Sequence, residues 1–115
     1  MPMEISHREI QDGIVVIAIS GKVMLGTESQ RVETLTAELL EQGHRKLIFD
    51  MAGITHIDST GIGRFISALN KVMQVGGRMH MASATGTVRE GFRVTRLDRV
   101  FKFYDSIDEA GRGLA

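Results

Sequence analysis

The chain has 115 residues, enough for one hydrophobic core and too few for two ordinary domains, so residues 1–115 are read as a single domain. Fourteen Lys and Arg balance fourteen Asp and Glu, which leaves no basic field to attract nucleic acid or anionic lipid. Cysteine is absent, which removes disulfides, thiol catalysis and Cys-held zinc. The start Met1-Pro2-Met3-Glu4 lacks the basic and apolar regions of a signal peptide, and the run from Ile14 to Ile19 is far short of a membrane span. A cytoplasmic protein with no membrane span is expected.

In chain order, residues 3–10 read as a strand, followed by Gln11-Asp12-Gly13 and the apolar run Ile14-Val15-Val16-Ile17-Ala18-Ile19. Asp-Gly between two strand-like runs is a hairpin signal, because both residues tolerate the positive φ of a tight turn. A run apolar throughout predicts a central strand covered on both faces. Residues 27–42 read as a helix with Thr27 and Gln30 at capping-box spacing, Val32, Leu35 and Leu39 on one face, and Gly43 as the stop. Leu47-Ile48-Phe49 is a short buried strand. Residues 59–75 form a second helix with Ile62, Phe65, Ile66, Leu69, Val72 and Met73 in one stripe, ended by Gly76-Gly77. A strand over 78–83 turns Met79 and Met81 inward. Thr87 and Glu90 cap a third helix, residues 100–104 form the last strand, and Ser106-Ile107-Asp108-Glu109 opens a terminal helix. The seven methionines are read as core gap-fillers.

This alternation predicts an α/β fold: a mixed, mostly parallel sheet of about five strands with an N-terminal β-hairpin and about four helices. The informative segment is Ile54-Thr55-His56-Ile57-Asp58-Ser59-Thr60-Gly61-Ile62-Gly63, which joins a buried strand to the second helix. Asp58 is placed to cap the helix, and Ser59 to sit at its first position among free N–H groups. The two glycines allow a backbone or a phosphate to approach closely. A phosphate on Ser59 would meet the positive end of the helix dipole but also the charge of Asp58; a plain polar cap explains the same residues. A Ser–His–Asp hydrolase is disfavoured, because adjacent residues of a strand and turn cannot set an imidazole between Ser59 and Asp58, and Ile57 stands where a nucleophile elbow needs glycine. Gly61 and Gly63 lack the lysine of a phosphate-binding loop. His7, His44, His56 and His80 lack ligand spacing. No cofactor and no enzyme activity are expected.

The chain resembles the STAS domain, in particular stand-alone bacterial anti-sigma factor antagonists. The stretch from Leu47 to Gly63 is similar to that family's strand and phosphorylatable Asp-Ser-Ser/Thr-Gly loop. Val75-Gly76-Gly77-Arg78-Met79 is similar to its Gly-Gly turn. Leu97-Asp98-Arg99-Val100-Phe101 with Asp105-Ser106-Ile107-Asp108-Glu109-Ala110 is similar to its C-terminal signature. The resemblance implies a partner switch. The unphosphorylated antagonist binds an anti-sigma factor with serine kinase activity and so releases a sigma factor. Phosphorylation at Ser59 ends the complex, and a PP2C-type phosphatase restores it. The partner carries ATP and Mg²⁺. Asp58, Thr60, Gly61, Ile62 and Gly63 are the implied partner-binding residues, with residues 62–66 adding the start of the helix. Met24 joins them, standing where the family commonly has an acidic residue after its second strand. Two turns also depart from the family, Ala84-Thr85-Gly86-Thr87 for its Ser-Pro turn and Thr95-Arg96-Leu97 for Thr-Gly-Leu. The alternative implied reading is a constitutive STAS scaffold or a regulatory subunit of a transporter or larger signalling assembly.

Overall fold

A strand that is apolar at every position needs cover on both faces, and that requirement sets the architecture. The computed structural model describes residues 2–115. Its elements are β1 (Glu4–Glu9), β2 (Ile14–Val23), α1 (Gln30–Glu41), β3 (Lys46–Ile57), α2 (Ser59–Gln74), β4 (Arg78–Ala82), α3 (Gly86–Val94), β5 (Lys102–Tyr104) and α4 (Ile107–Arg112), with short 3-10 turns at Gln11–Gly13 and Leu97–Arg99. The strands lie side by side in sequence order; β1 is antiparallel to β2 and every other neighbouring pair is parallel. The expected mixed α/β fold with an N-terminal hairpin and four helices is found.

Each parallel crossover steps one strand in the same direction, and right-handed crossovers of this kind put their helices on one face. The residues of β2 divide accordingly. Val15, Ile17 and Ile19 pack with Val32 and Leu39 of α1, Phe65 and Val72 of α2, and Phe92 of α3. Ile14 and Val16 join Ile48, Ala82, Ala110 and Leu114 around α4 on the other face. That helix is short, so beyond it the second face stays open: Ala18, Ser20 and Asp50 line a shallow hollow of about 300 Å³ with Glu4 and Ser6. All five phenylalanines join one edge-to-face chain. Its spacings are 5.3 Å for Phe49–Phe65, 6.0 Å for Phe65–Phe92, and 5.4 and 5.2 Å from Phe92 to Phe101 and Phe103. Such pairs add about 0.5–1.5 kcal/mol each beyond burial and here bind α2 and α3 to the sheet.

The hairpin turn carries the positive φ that Asp12 (62°) and Gly13 (71°) were expected to accept. Gly43 and Gly76 end α1 and α2 as expected. In each case the following amide returns to a carbonyl of the last turn, His44 to Leu39 at 3.1 Å and Gly77 to Val72 at 2.9 Å. Ser106 Oγ accepts from the Glu109 amide at 3.1 Å and so caps α4. Other local expectations need correction. α1 begins at Gln30 behind Ser29, three residues later than expected, so Thr27 and Gln30 form no capping box, and Ser29 Oγ donates to the Gly26 carbonyl and does not cap the helix either. α3 begins behind Thr85 with no side-chain cap, and Glu90 pairs with Arg93. Met73 is 64% exposed, off the buried stripe, and Val100, 55% exposed, precedes β5 and lies outside it. Met3, Met51, Met79 and Met81 are buried as gap-fillers, whereas Met24 is not; Met1 lies outside the described residues.

The largest correction concerns β3, which runs to Ile57 and does not stop at Phe49. Its first half, Lys46 to Asp50, is paired on both sides, by β2 and by β4. Beyond Asp50 only β2 continues, pairing Ser20 with Gly53, Gly21 with Ile54, Lys22 with His56 and Val23 with Ile57 across two irregularities. A two-stranded parallel ribbon therefore projects past the sheet, and its mixed sequence, Met51-Ala52-Gly53-Ile54-Thr55-His56-Ile57 beside Ser20-Gly21-Lys22-Val23, keeps no clear strand period.

His80 on β4 is 2% exposed. Its Nδ1–H donates to the Ala110 carbonyl at 3.0 Å, and its ring lies 4.8 Å from that of Tyr104. Burial pushes its pKa below the ordinary imidazole value; the Ala110 carbonyl opposes this, and the charges of Arg78 and Lys102 add to it. The unfolded chain thus takes up this proton first, so the stability His80 contributes is complete above 6.5 and is lost as pH falls below it. Denaturant titrations at successive pH values should show wild-type stability falling on acidification below 6.5, with a slope of up to about 1.4 kcal/mol per pH unit. His80→Asn should flatten that limb.

Candidate functional site

The ribbon ends in two connections that lie side by side: residues 24–29 after β2, and Asp58 after β3. Asp58 has an extended backbone (φ −116°, ψ −176°) and stands immediately before α2. Its carboxylate works in two directions. Oδ1 accepts from the Gly61 amide at 2.8 Å, capping the helix, and Oδ2 accepts from the Leu25 amide at 2.9 Å, holding the neighbouring loop. Burial acts to raise its pKa, but the amides of Gly61 and Leu25 outweigh this and hold the carboxyl below its ordinary value. It is therefore ionised at neutral pH, as a cap with two donors should be.

The helix is seated close against β2. A Cβ on Gly61 would stand 2.0 Å from the Val23 carbonyl oxygen and 2.9 Å from Ile57 Cγ1; only a hydrogen fits there. Two residues later the situation reverses, since a Cβ on Gly63 would meet nothing within 4 Å. Ile62 is buried in the core beneath. Ser59, at the first helical position, is exposed, and Thr60 is half-buried. The expected site residues thus separate by role. Ser59, Thr60 and the open side of Gly63 form a surface, while Gly61 and Ile62 seat the helix that presents it.

Met24 is 37% and Leu25 81% exposed beside this surface. With Lys22, Gly26, Thr27, Glu28 and Asp58 they line an open cavity of about 510 Å³. Arg64, one and a half turns into α2, closes the arrangement from the far side. Its Nε donates to Ser29 Oγ at 3.1 Å, one terminal nitrogen to Glu33 Oε2 at 3.1 Å, and the other to the Gly26 carbonyl at 3.5 Å. Sequence reasoning passed over Leu25 and Ser29, and took in Arg64 only as one of residues 62–66 at the start of the helix. The available signals were an apolar pair, Met24-Leu25, outside any periodic stripe, and a lone charge between Asp58 and Lys71. His56 Nδ1 pairs with Thr55 Oγ1 at 3.0 Å, and both Asp58 oxygens are held by amides, so His56, Asp58 and Ser59 are not linked as a triad.

The family model described as STAS domain matches residues 7–110. The chain belongs to the STAS domain family. A relative of this STAS domain from Thermotoga neapolitana, provisionally named an anti-sigma factor antagonist homolog, is 34% identical over 73 residues, 64% of this chain and 65% of that protein. A provisionally named anti-sigma factor antagonist of Thermotoga maritima is 26% identical over 102 residues, 89% of this chain and 90% of that one. The Bacillus anti-sigma factor antagonist SpoIIAA has a similar fold in its unphosphorylated form, with a TM-score of 0.72 at 17% identity over 96% of each chain. Its phosphorylated form gives 0.68 at 19% identity over 95% of this chain and 98% of that one.

The two glycines of this STAS domain's loop should respond oppositely to one methyl group. Gly61→Ala should destabilise by about 3 kcal/mol or more, because a backbone carbonyl cannot yield as a side chain does. Gly63→Ala should add about 0.5–1 kcal/mol through helix propensity. Thermal and urea unfolding of the two variants measures both.

Proposed function

We propose that this STAS domain is an anti-sigma factor antagonist working as a phosphorylation-controlled partner switch. The observation that carries the reading is the exposed Ser59 hydroxyl at the first position of α2, directly after an Asp58 whose carboxylate is already committed to two amides. Provisional naming of two relatives as antagonists supports the same class. In the cytoplasm, the unphosphorylated form docks on an anti-sigma factor that is also a serine kinase, and a sigma factor is released. The domain supplies an acceptor and no catalytic machinery of its own; ATP and Mg²⁺ belong to the partner. No helix among the described residues is long and apolar enough to cross a membrane.

The chemistry follows from the position of the hydroxyl. Ser59 Oγ attacks the γ-phosphorus of the partner's ATP, its proton passes to a base of the kinase, and ADP leaves. The product carries about −1.5 to −2 charges. Free amides at the head of α2 and the positive end of its dipole stabilise that group locally, by about 0.3–1 kcal/mol. The ionised Asp58 alongside repels it, and Met24, Thr60 and Gly63 now border a bulky dianion instead of a small hydroxyl. The docking face is changed in charge and shape while the fold is kept. A PP2C-type phosphatase hydrolyses the ester and restores the first state.

Ser59→Ala should bind the purified anti-sigma factor kinase with wild-type affinity, within about twofold, and take up no phosphate from ATP. Ser59→Asp should bind at least about tenfold more weakly, a loss of about 1.4 kcal/mol. Calorimetric titration with phosphoprotein mass spectrometry reads both, and equal affinity of all three forms would overturn the switch.

A further inference from the structure

The loop between β2 and α1 has little to hold it. Residues 24–28 are all exposed, and the backbone bonds within it are single local turns, Gln30 to Thr27 and Arg31 to Glu28. Apart from those, among the described residues it is tied by hydrogen bonds to the rest of the protein at two places, and both ties come from the start of α2. One is the Asp58 carboxylate on the Leu25 amide. The other is Arg64, whose three nitrogens reach the Gly26 carbonyl, Ser29 Oγ and Glu33 Oε2. Ser29 is 1% exposed and passes its own hydrogen to the Gly26 carbonyl at 3.1 Å. Arg64 therefore fixes the loop through a buried hydroxyl and directly. The two ties straddle Ser59 in the sequence, and between them the loop holds up a leucine that is 81% exposed.

We propose that Arg64 is a positioning residue of the docking face, clasping the 24–29 loop to α2 so that Leu25 stands beside Ser59 as an apolar anchor for the same partner. This deepens, and rests on, the partner-switch reading. It assigns the partner a chemistry: next to the site that receives the serine hydroxyl, the kinase surface presents an apolar pocket. Leu25 is the most exposed of the large apolar side chains among the described residues, and its backbone amide is fixed at 2.9 Å by Asp58. Its backbone is therefore held in place before docking, which lowers the entropy lost on binding. Arg64 does not serve as the phosphate's counter-charge. Five residues on from Ser59, it lies about 140° round the helix and is spent on α1 and the loop. A planar guanidinium with several fixed donors suits three separated acceptors; a lysine ammonium does not reproduce that fork.

The clasp makes a prediction that a merely stabilising ion pair does not. Leu25→Ala should weaken binding of the purified anti-sigma factor kinase by about tenfold or more. Arg64→Ala should weaken it by a similar factor, because a loop free to swing presents the leucine poorly. The double variant should bind no more weakly than the worse single one, since Arg64 acts through Leu25. Arg64→Lys should restore only part of the loss. Hydrogen exchange at the Leu25 amide should accelerate in Arg64→Ala while amides in the middle of β2 stay protected, which separates loop release from global unfolding. Losses that multiply in the double variant, or an unchanged Leu25 exchange rate in Arg64→Ala, would overturn the proposal. Should the wild type bind no anti-sigma factor kinase, the switch reading falls. The exchange rate then decides alone whether Arg64 holds the loop.

Discussion

The parallel pairing of β2 with β3, from Ile14 opposite Lys46 to Val23 opposite Ile57, serves two ends at once. In its first half both strands are buried between α1–α3 on one side and α4 on the other, and this is where the core is made. In its second half the same ladder continues without β4 and pushes the ends of both strands clear of the sheet. The site stands on those ends. Ser59 at the head of α2 is exposed and yet fixed in geometry, and a two-stranded extension of a buried sheet provides both. The connections at the carboxyl ends of parallel strands are also where α/β folds generally place their working residues.

Asp58 joins the helix head to the neighbouring loop. A capping carboxylate ordinarily satisfies one or two amides of its own helix; here one oxygen does so and the other crosses to Leu25. The helix head, the end of β2 and the following loop are thereby one unit, further locked by the contact of Gly61 on the Val23 carbonyl. Ser59 stands exposed beside this junction, while Gly61 and Ile62, two and three residues on, are buried.

Some of this was legible without coordinates because it is local chemistry. Asp12-Gly13 implied a positive-φ turn and the φ values are 62° and 71°. Asp58 implied a cap and Ser106 another, and both accept from the helix amides. The second half of β3 was not legible. From Asp50 to His56 it alternates poorly and faces solvent on much of its surface, and what keeps it a strand is the partner β2, which no window on residues 50–57 contains. The same holds for Thr27. By spacing it should cap α1, but the cap position goes to Ser29, whose hydroxyl has better use between Gly26 and Arg64.

The sequence by itself determined the order of elements, the fold class, the double-sided burial of β2 and the serine at the head of a helix, since each depends on periodicity or on chemistry between near neighbours. Tertiary structure decided how the site is held. Leu25 meets Asp58 across 33 residues, and Arg64 meets Ser29 across 35. Contacts of that separation leave no period and no spacing in the chain, because the distance between partners is set by how the helices lie on the sheet.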